Sequence, residues 1–314
     1  MPVDGPIPGW LLSGAAVATV FTVMFDLGLA IVPGDFRRAW QHPGQMLKGL
    51  FSVLIVVPAV ALAVTRMFDL ARTVEIGIVL MAISPGAPVA LRRSLNAGGD
   101  RAFAPALQIA VAMLAVVSMP LWIAALNEVY SGSASIDPRH LARQVFVAQL
   151  LPLGLGMLVR QIAPHWASRF GARLDRVATV LLITLAVLAL IDVWHTVVDA
   201  GWNATLAIFL TTALVLICGH VLGGPDPATR TALAIVSAAR NPGLALVVAT
   251  VNGAAPGTIA TVLAYLVVSA LTVVPYLIWR QRIGAVRRRR RAPSALIAAV
   301  DTEKRAISGA ATRE

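Results

Sequence analysis

Long apolar runs, each closed off by charged residues or by proline and glycine, follow one another along almost the whole chain. Nine are long enough to cross ~30 Å of hydrocarbon as helices. They cover residues 10–32, 47–66, 75–96, 102–127, 142–160, 175–195, 202–223, 229–252 and 256–279. The second is tight, with 17 uncharged residues between Lys48 and Arg66, and Asp192 bounds the sixth early. Flanking side chains that snorkel to the interface let both span. The pattern predicts an all-α polytopic membrane protein. One transmembrane domain occupies residues 1–280, with halves at about 10–127 and 142–279, and the basic residues 281–314 form a cytoplasmic tail expected to be disordered beyond Pro293. The first run carries no small-residue cleavage site, so it is expected to stay in place as a helix.

Composition sharpens this. Of the 314 residues 58% are hydrophobic and 13% charged, about half the charge a water-facing domain carries. The net charge of +11 is distributed by side rather than by patch. One set of connections, with the tail, holds 21 of the 26 lysines and arginines; the opposite set holds Arg66, Arg72, Arg139 and Arg143. That asymmetry puts the N-terminus outside and the C-terminus in the cytoplasm, in the plasma membrane or a bacterial inner membrane. It reports topology, not a nucleic-acid partner. Trp10, Trp194, Trp202 and Trp279 fall at span ends, as interface anchors do. Arg287–Arg291 reads either as a stop-transfer signal or as a site for anionic lipid headgroups.

Two spans interrupt themselves. The third reads Ile83-Ser84-Pro85-Gly86-Ala87-Pro88 in its middle and the eighth Ala239-Arg240-Asn241-Pro242-Gly243-Leu244. Proline removes a backbone donor and clashes with the preceding turn, so each Pro-Gly pair opens its helix. Unpaired backbone groups at membrane depth survive only where protein or a cavity receives them. Paired breaks in two halves mark an inverted-repeat transporter, and two broken helices crossing near the midplane are expected.

At these residues the chain resembles the bile acid:sodium symporter superfamily. The resemblance lies in Met24-Phe25-Asp26-Leu27-Gly28-Leu29, Asp35-Phe36-Arg37-Arg38, Pro43 and Gly49-Leu50, then Ser84-Pro85-Gly86 through Asp100, then Arg240-Asn241-Pro242-Gly243-Leu244-Ala245. It implies the nine-helix form of the family, with a core domain of crossed broken helices, a panel of helices that rocks against it, and an organic anion bound between. Substrate contacts then fall on Arg240, Asn241, Pro85, Gly86, Ala87, Pro88, Pro242 and Gly243. The positions that hold sodium in the family carry Val53, Ala90, Leu91, Ala104, Gln108, Val236 and Arg240 here. Most have lost their oxygen, and Arg240 is a cation with no acceptor. The expectation is anion transport by alternating access without sodium coupling. Sodium-coupled symport is one alternative, and a non-transporting receptor or scaffold another.

Arg240 at mid-membrane must face a cavity or a partner, as substrate ligand or as structural substitute for the lost ion. Asp26 is a partner for Arg240, a proton carrier, or an acid snorkelling to the cytoplasmic end. Asp26 and Gln108 are thus the candidate ion or charge partners. Asp192, His195 and His220 read as interface residues, with a proton relay as the alternative. The lone Cys218 excludes an internal disulfide and a Cys-based metal site. No cofactor or metal is expected, and no nucleophile–base set points to an enzyme.

Overall fold

Apolar runs of this length fold as helices because hydrocarbon offers their backbone groups no other partner. The computed structural model describes residues 9–30, 42–129, 137–199 and 201–311, and no strand occurs among them. The helices are α1 (Gly9–Ala30), α2 (Pro43–Met67), α3 (Arg72–Ile83), α4 (Pro88–Asn96), α5 (Phe103–Val129), α6 (Pro138–Ile162), α7 (Pro164–Asp199), α8 (Gly201–Leu222), α9 (Pro227–Ala238), α10 (Pro242–Val251) and α11 (Pro256–Ala311). The protein is an all-α polytopic membrane protein. Among the described residues six segments are long and apolar enough to span: α2, α5, α6, α8, the pair α9–α10, and α11 up to Ile283. Gly14–Ala30 is a shorter apolar stretch, and the third expected span is divided between α3 and α4.

Helix starts follow local chemistry. Asp137-Pro138, Asp226-Pro227 and Asn241-Pro242 each place an Asx side chain at the N-cap and a proline at the first helical position. Asp226 accepts from Ala228 N (3.1 Å) and Thr229 N (3.0 Å). Asp100 caps α5 in the same manner, accepting from Ala102 N and Phe103 N. Inside α2 and α6 a π-helical turn, Ser52–Val56 and Phe146–Leu150, sits just before Pro58 and Pro152. Pro58 has no N–H to offer Leu54 O, and Trp122 Nε1 donates to that carbonyl instead, at 2.8 Å.

Helix α1 lies along α6 and α7, while α3 packs on α11, and α8 on α2, α9 and α11. The exposed faces are apolar, as lipid requires: Phe51, Leu121 and Trp202 all project outward. The α9–α10 segment is the exception, with 94% of its apolar window buried inside the protein, so other helices, not lipid, surround it. Helix α11 continues to Ala311 where a disordered tail is expected beyond Pro293. Alanine, leucine, glutamate, lysine and arginine, good helix formers, supply the reason.

Helices α1 and α6 cross closely, glycine on glycine. A Cβ on Gly28 would lie 2.9 Å from Gly156 Cα, and one on Gly156 would lie 3.0 Å from Gly28 Cα. Replacing either with leucine forces the helices apart. Gly28→Leu and Gly156→Leu should each cost about 1–3 kcal/mol, read as a lower melting temperature in detergent, whereas Gly14→Leu, which meets nothing within 4 Å, should be neutral.

Candidate functional site

Helix α3 ends at Ile83, and Ser84–Ala87 cross to α4 without helical structure, with Gly86 at φ +89°. That left-handed conformation is one only glycine adopts freely. Ala239–Asn241 separate α9 from α10 in the same way. The two gaps touch: Asn241 N donates to Ser84 O at 2.9 Å. Both helices break where the Pro-Gly pairs predict, and they meet at the breaks.

Each break leaves carbonyls without intrahelical donors, and local groups answer some of them. Ser84 Oγ donates to Leu80 O (2.7 Å) and Ser84 N to Met81 O (3.1 Å). Arg240 answers others. Its Nη1 donates to Ala82 O at the end of α3 (3.0 Å) and, more weakly, to Val53 O in the π turn of α2 (3.4 Å); its Nη2 donates to Ser237 O at the end of α9 (2.5 Å). A single guanidinium thus joins three segments by their carbonyls, two of them at helix C-termini, where the dipole favours a cation. Arg240 is buried, 5% exposed, yet its Nε has no partner among the described residues. Three of the five guanidinium N–H donors are thus on carbonyls, while Nε–H and one Nη2–H are not.

Asn241 is the N-cap of α10, its Oδ1 accepting from Leu244 N at 3.1 Å. Its Nδ2 faces Gln149 Oε1 at 3.5 Å, and Gln149 Nε2 donates to Ala112 O at 2.9 Å. Sequence reasoning did not single out Gln149. It is fully buried in the π turn of α6 and reaches the crossing from a helix that carries neither break. A cavity of about 70 Å³ opens beside Arg240, Asn241, Pro242 and Gly243. Ala87 and Arg93 of the first broken segment, Thr19, Val20, Val23 and Met24 of α1 and Ser269 of α11 also line it. The N-termini of α4 and α10 lie at this wall, their dipoles favouring an anion. Pro85 and Gly86 belong to the crossing but do not line the cavity, and Pro88 opens α4.

Asp26 is placed away from Arg240. It pairs with Arg92 of α4 at 3.5 Å, and Arg92 also meets Asp175 of α7. Arg92 reaches the α1–α7 interface from α4, beyond the first break, and this explains the difference. Gln108 is fully buried, and neither its Oε1 nor its Nε2 has a partner among the described residues. Val53, Ala90, Ala104 and Val236, positions the resemblance gives to sodium, are buried in one apolar cluster with Leu91 against it. His220 Nδ1 shares a hydrogen bond with the Tyr276 hydroxyl (2.8 Å), away from the crossing, and Cys218 is half-buried with a free thiol.

The model of the Sodium Bile acid symporter family matches residues 17–200, more than half of the chain. The chain belongs to the sodium bile acid symporter family. It is a transmembrane transporter of that family. Among curated relatives it is similar to the "Uncharacterized sodium-dependent transporter YocS" of Bacillus subtilis, 23% identical over 73% of this chain and 72% of that one. It is also similar to the "Probable sodium/metabolite cotransporter BASS2, chloroplastic" of Oryza sativa subsp. japonica, 24% identical over 56% of this chain and 41% of that one. The human "P3 protein" is 26% identical over 47% of this chain and 31% of its own length. The chain therefore spans well under half of the last two.

Asn241 caps α10 and helps to tie α6 to the crossing, so Asn241→Ala should cost about 1 kcal/mol through the cap alone. Thermal melting in detergent should show the loss. Asn241→Asp keeps the capping oxygen and should recover most of it; equal losses in the two variants would show that the cap does not matter.

Proposed function

We propose that the chain moves a small organic anion by alternating access and does so without sodium. The observation that carries this is the guanidinium of Arg240. It takes backbone carbonyls at the crossing, as unwound helices in transporters offer them to a bound cation, and the same residue lines the cavity. The surrounding positions, Val53, Ala90 and Val236, offer no side-chain oxygen. In this reading the charge that a sodium ion would lend to the crossing is built in, and the anion is drawn to Arg240 and the N-termini of α4 and α10. Helices α1, α6 and α7 form the panel, the broken helices belong to the core, and nine spans arranged as an inverted repeat carry the motion.

A second reading, sodium-coupled symport, is favoured by the printed names of the relatives and by Gln108, whose buried amide oxygen has no partner among the described residues. Uptake into proteoliposomes separates the two. With radiolabelled succinate and butyrate as probes, and the same unlabelled acid inside the vesicles, uptake of whichever is carried should be equal in sodium and in choline media. Arg240→Gln should lower it on the order of 100-fold, the loss of a buried charge-assisted contact worth ~3 kcal/mol. Arg240→Lys keeps the charge and should remain partly active. Strict dependence on sodium, or full uptake by well-folded Arg240→Gln protein, would falsify the mechanism.

The basic residues also set the proposed orientation, N-terminus outside and C-terminus cytoplasmic. A tag after residue 314 should be reachable only after permeabilising the membrane, and one before Pro8 should be reachable from outside. Both tags on one face would rule out an odd number of spans.

A further inference from the structure

We propose that the anion bound at the crossing is a dianion, a short aliphatic dicarboxylate held between Arg240 and Arg93. This rests on the anion-transport reading above and goes further by fixing the charge and size of the substrate.

The cavity beside the breaks has two arginines in its wall and, among the described residues, no acid. Arg240 is buried with Nε unpartnered. Arg93 is half-buried on α4 and takes part in no hydrogen bond or ion pair among the described residues. Its neighbour behaves differently: Arg92 pairs with Asp26 and meets Asp175. Successive residues on a helix point about 100° apart, so α4 turns one guanidinium to the acids of α1 and α7 and the other to the cavity. A monoanion at Arg240 would leave Arg93 half-desolvated without a counter-charge, an arrangement that buried ions avoid. A dianion answers both.

Size and wall chemistry narrow the class. A cavity of about 70 Å³ has room for a handful of waters at ~10–15 Å³ each, and so for a chain of a few carbons rather than a ring system. Apart from the two cations the wall is largely apolar, with Val20, Val23 and Met24 of α1 and Leu266, Ala270 and Val273 of α11 in it. Such a wall suits the methylenes that join two carboxylates. One carboxylate takes Arg240 and the N-terminus of α10, and Arg93 takes the other.

Succinate and butyrate, equal in carbon count but differing by one carboxylate, test this on the full-length chain purified in detergent. Equilibrium binding of the radiolabelled acids should favour succinate by about 10- to 100-fold, the value of one further charge-assisted contact. Arg93→Gln should bring succinate down to the level of butyrate, Arg93→Lys should keep most of the preference, and Arg240→Gln should weaken both acids. Gel filtration of each variant establishes that it is folded. Equal affinities in the wild type, or a succinate preference that survives Arg93→Gln, overturn the dianion while leaving an Arg240-dependent anion transporter in place. Binding of neither acid, or binding indifferent to Arg240, overturns the dianion and the anion site together.

Discussion

Backbone carbonyls released where two helices break, in a part of the protein buried among other helices, are the constraint from which the centre of this molecule follows. A carbonyl without a donor in such surroundings is costly enough to forbid a break in an ordinary membrane helix. Here the breaks answer one another. The second supplies Arg240 and the Asn241 amide, and the first supplies Ala82 O and Ser84 O as their acceptors. Neither interruption would be tolerable alone, and this explains why they lie against each other and why the segment through α9 and α10 is the most deeply buried of the apolar spans. The same logic recurs on a small scale where Trp122 serves the carbonyl that Pro58 leaves behind.

Features written in adjacent residues are legible in the sequence itself. The Pro-Gly pairs locate both breaks, the charged borders locate most helices, and the motifs around Asp26, Ser84 and Asn241 point to the family to which the chain belongs. Features that depend on which segments meet are not legible there. Nothing local distinguishes Gln149 from any polar residue in an apolar run, yet the π turn before Pro152 carries it to Asn241. The acceptors of Arg240 are backbone carbonyls, which every residue owns, so no side-chain pattern announces them. Asp26 had several arginines to choose from, and its place near the end of α1 gave it Arg92. The count of spans is similarly non-local, because α3 and α4 are each too short to stand as a span alone.

Under the proposed mechanism the two roles weighed for Arg240, structural substitute and substrate ligand, coexist in one side chain. The terminal nitrogens bind Ala82, Val53 and Ser237, while the same residue lines the cavity. A lysine could keep the charge but would present one nitrogen where the guanidinium uses two on carbonyls, so it could not hold the crossing and face a ligand in the same geometry. This arrangement also places the cation at the C-termini of α3 and α9 and the cavity at the N-termini of α4 and α10, each end of the broken helices meeting the charge that its dipole favours.

Under the proposed mechanism, replacing a bound ion by a side chain changes what can drive the cycle. A sodium ion enters from one side and leaves on the other, so its gradient does work on the substrate; a guanidinium never leaves. The free energy for uphill movement must then come from the substrate itself or from a second solute using the same cavity. Reorienting the empty carrier has its own cost, because Arg240 and Arg93 would do so without a counter-charge in surroundings of low dielectric. Loaded with an anion, the same movement carries less uncompensated charge. A fixed cation thus favours movement of the loaded form over the empty one, and that asymmetry leads toward exchange of one anion for another rather than net uptake.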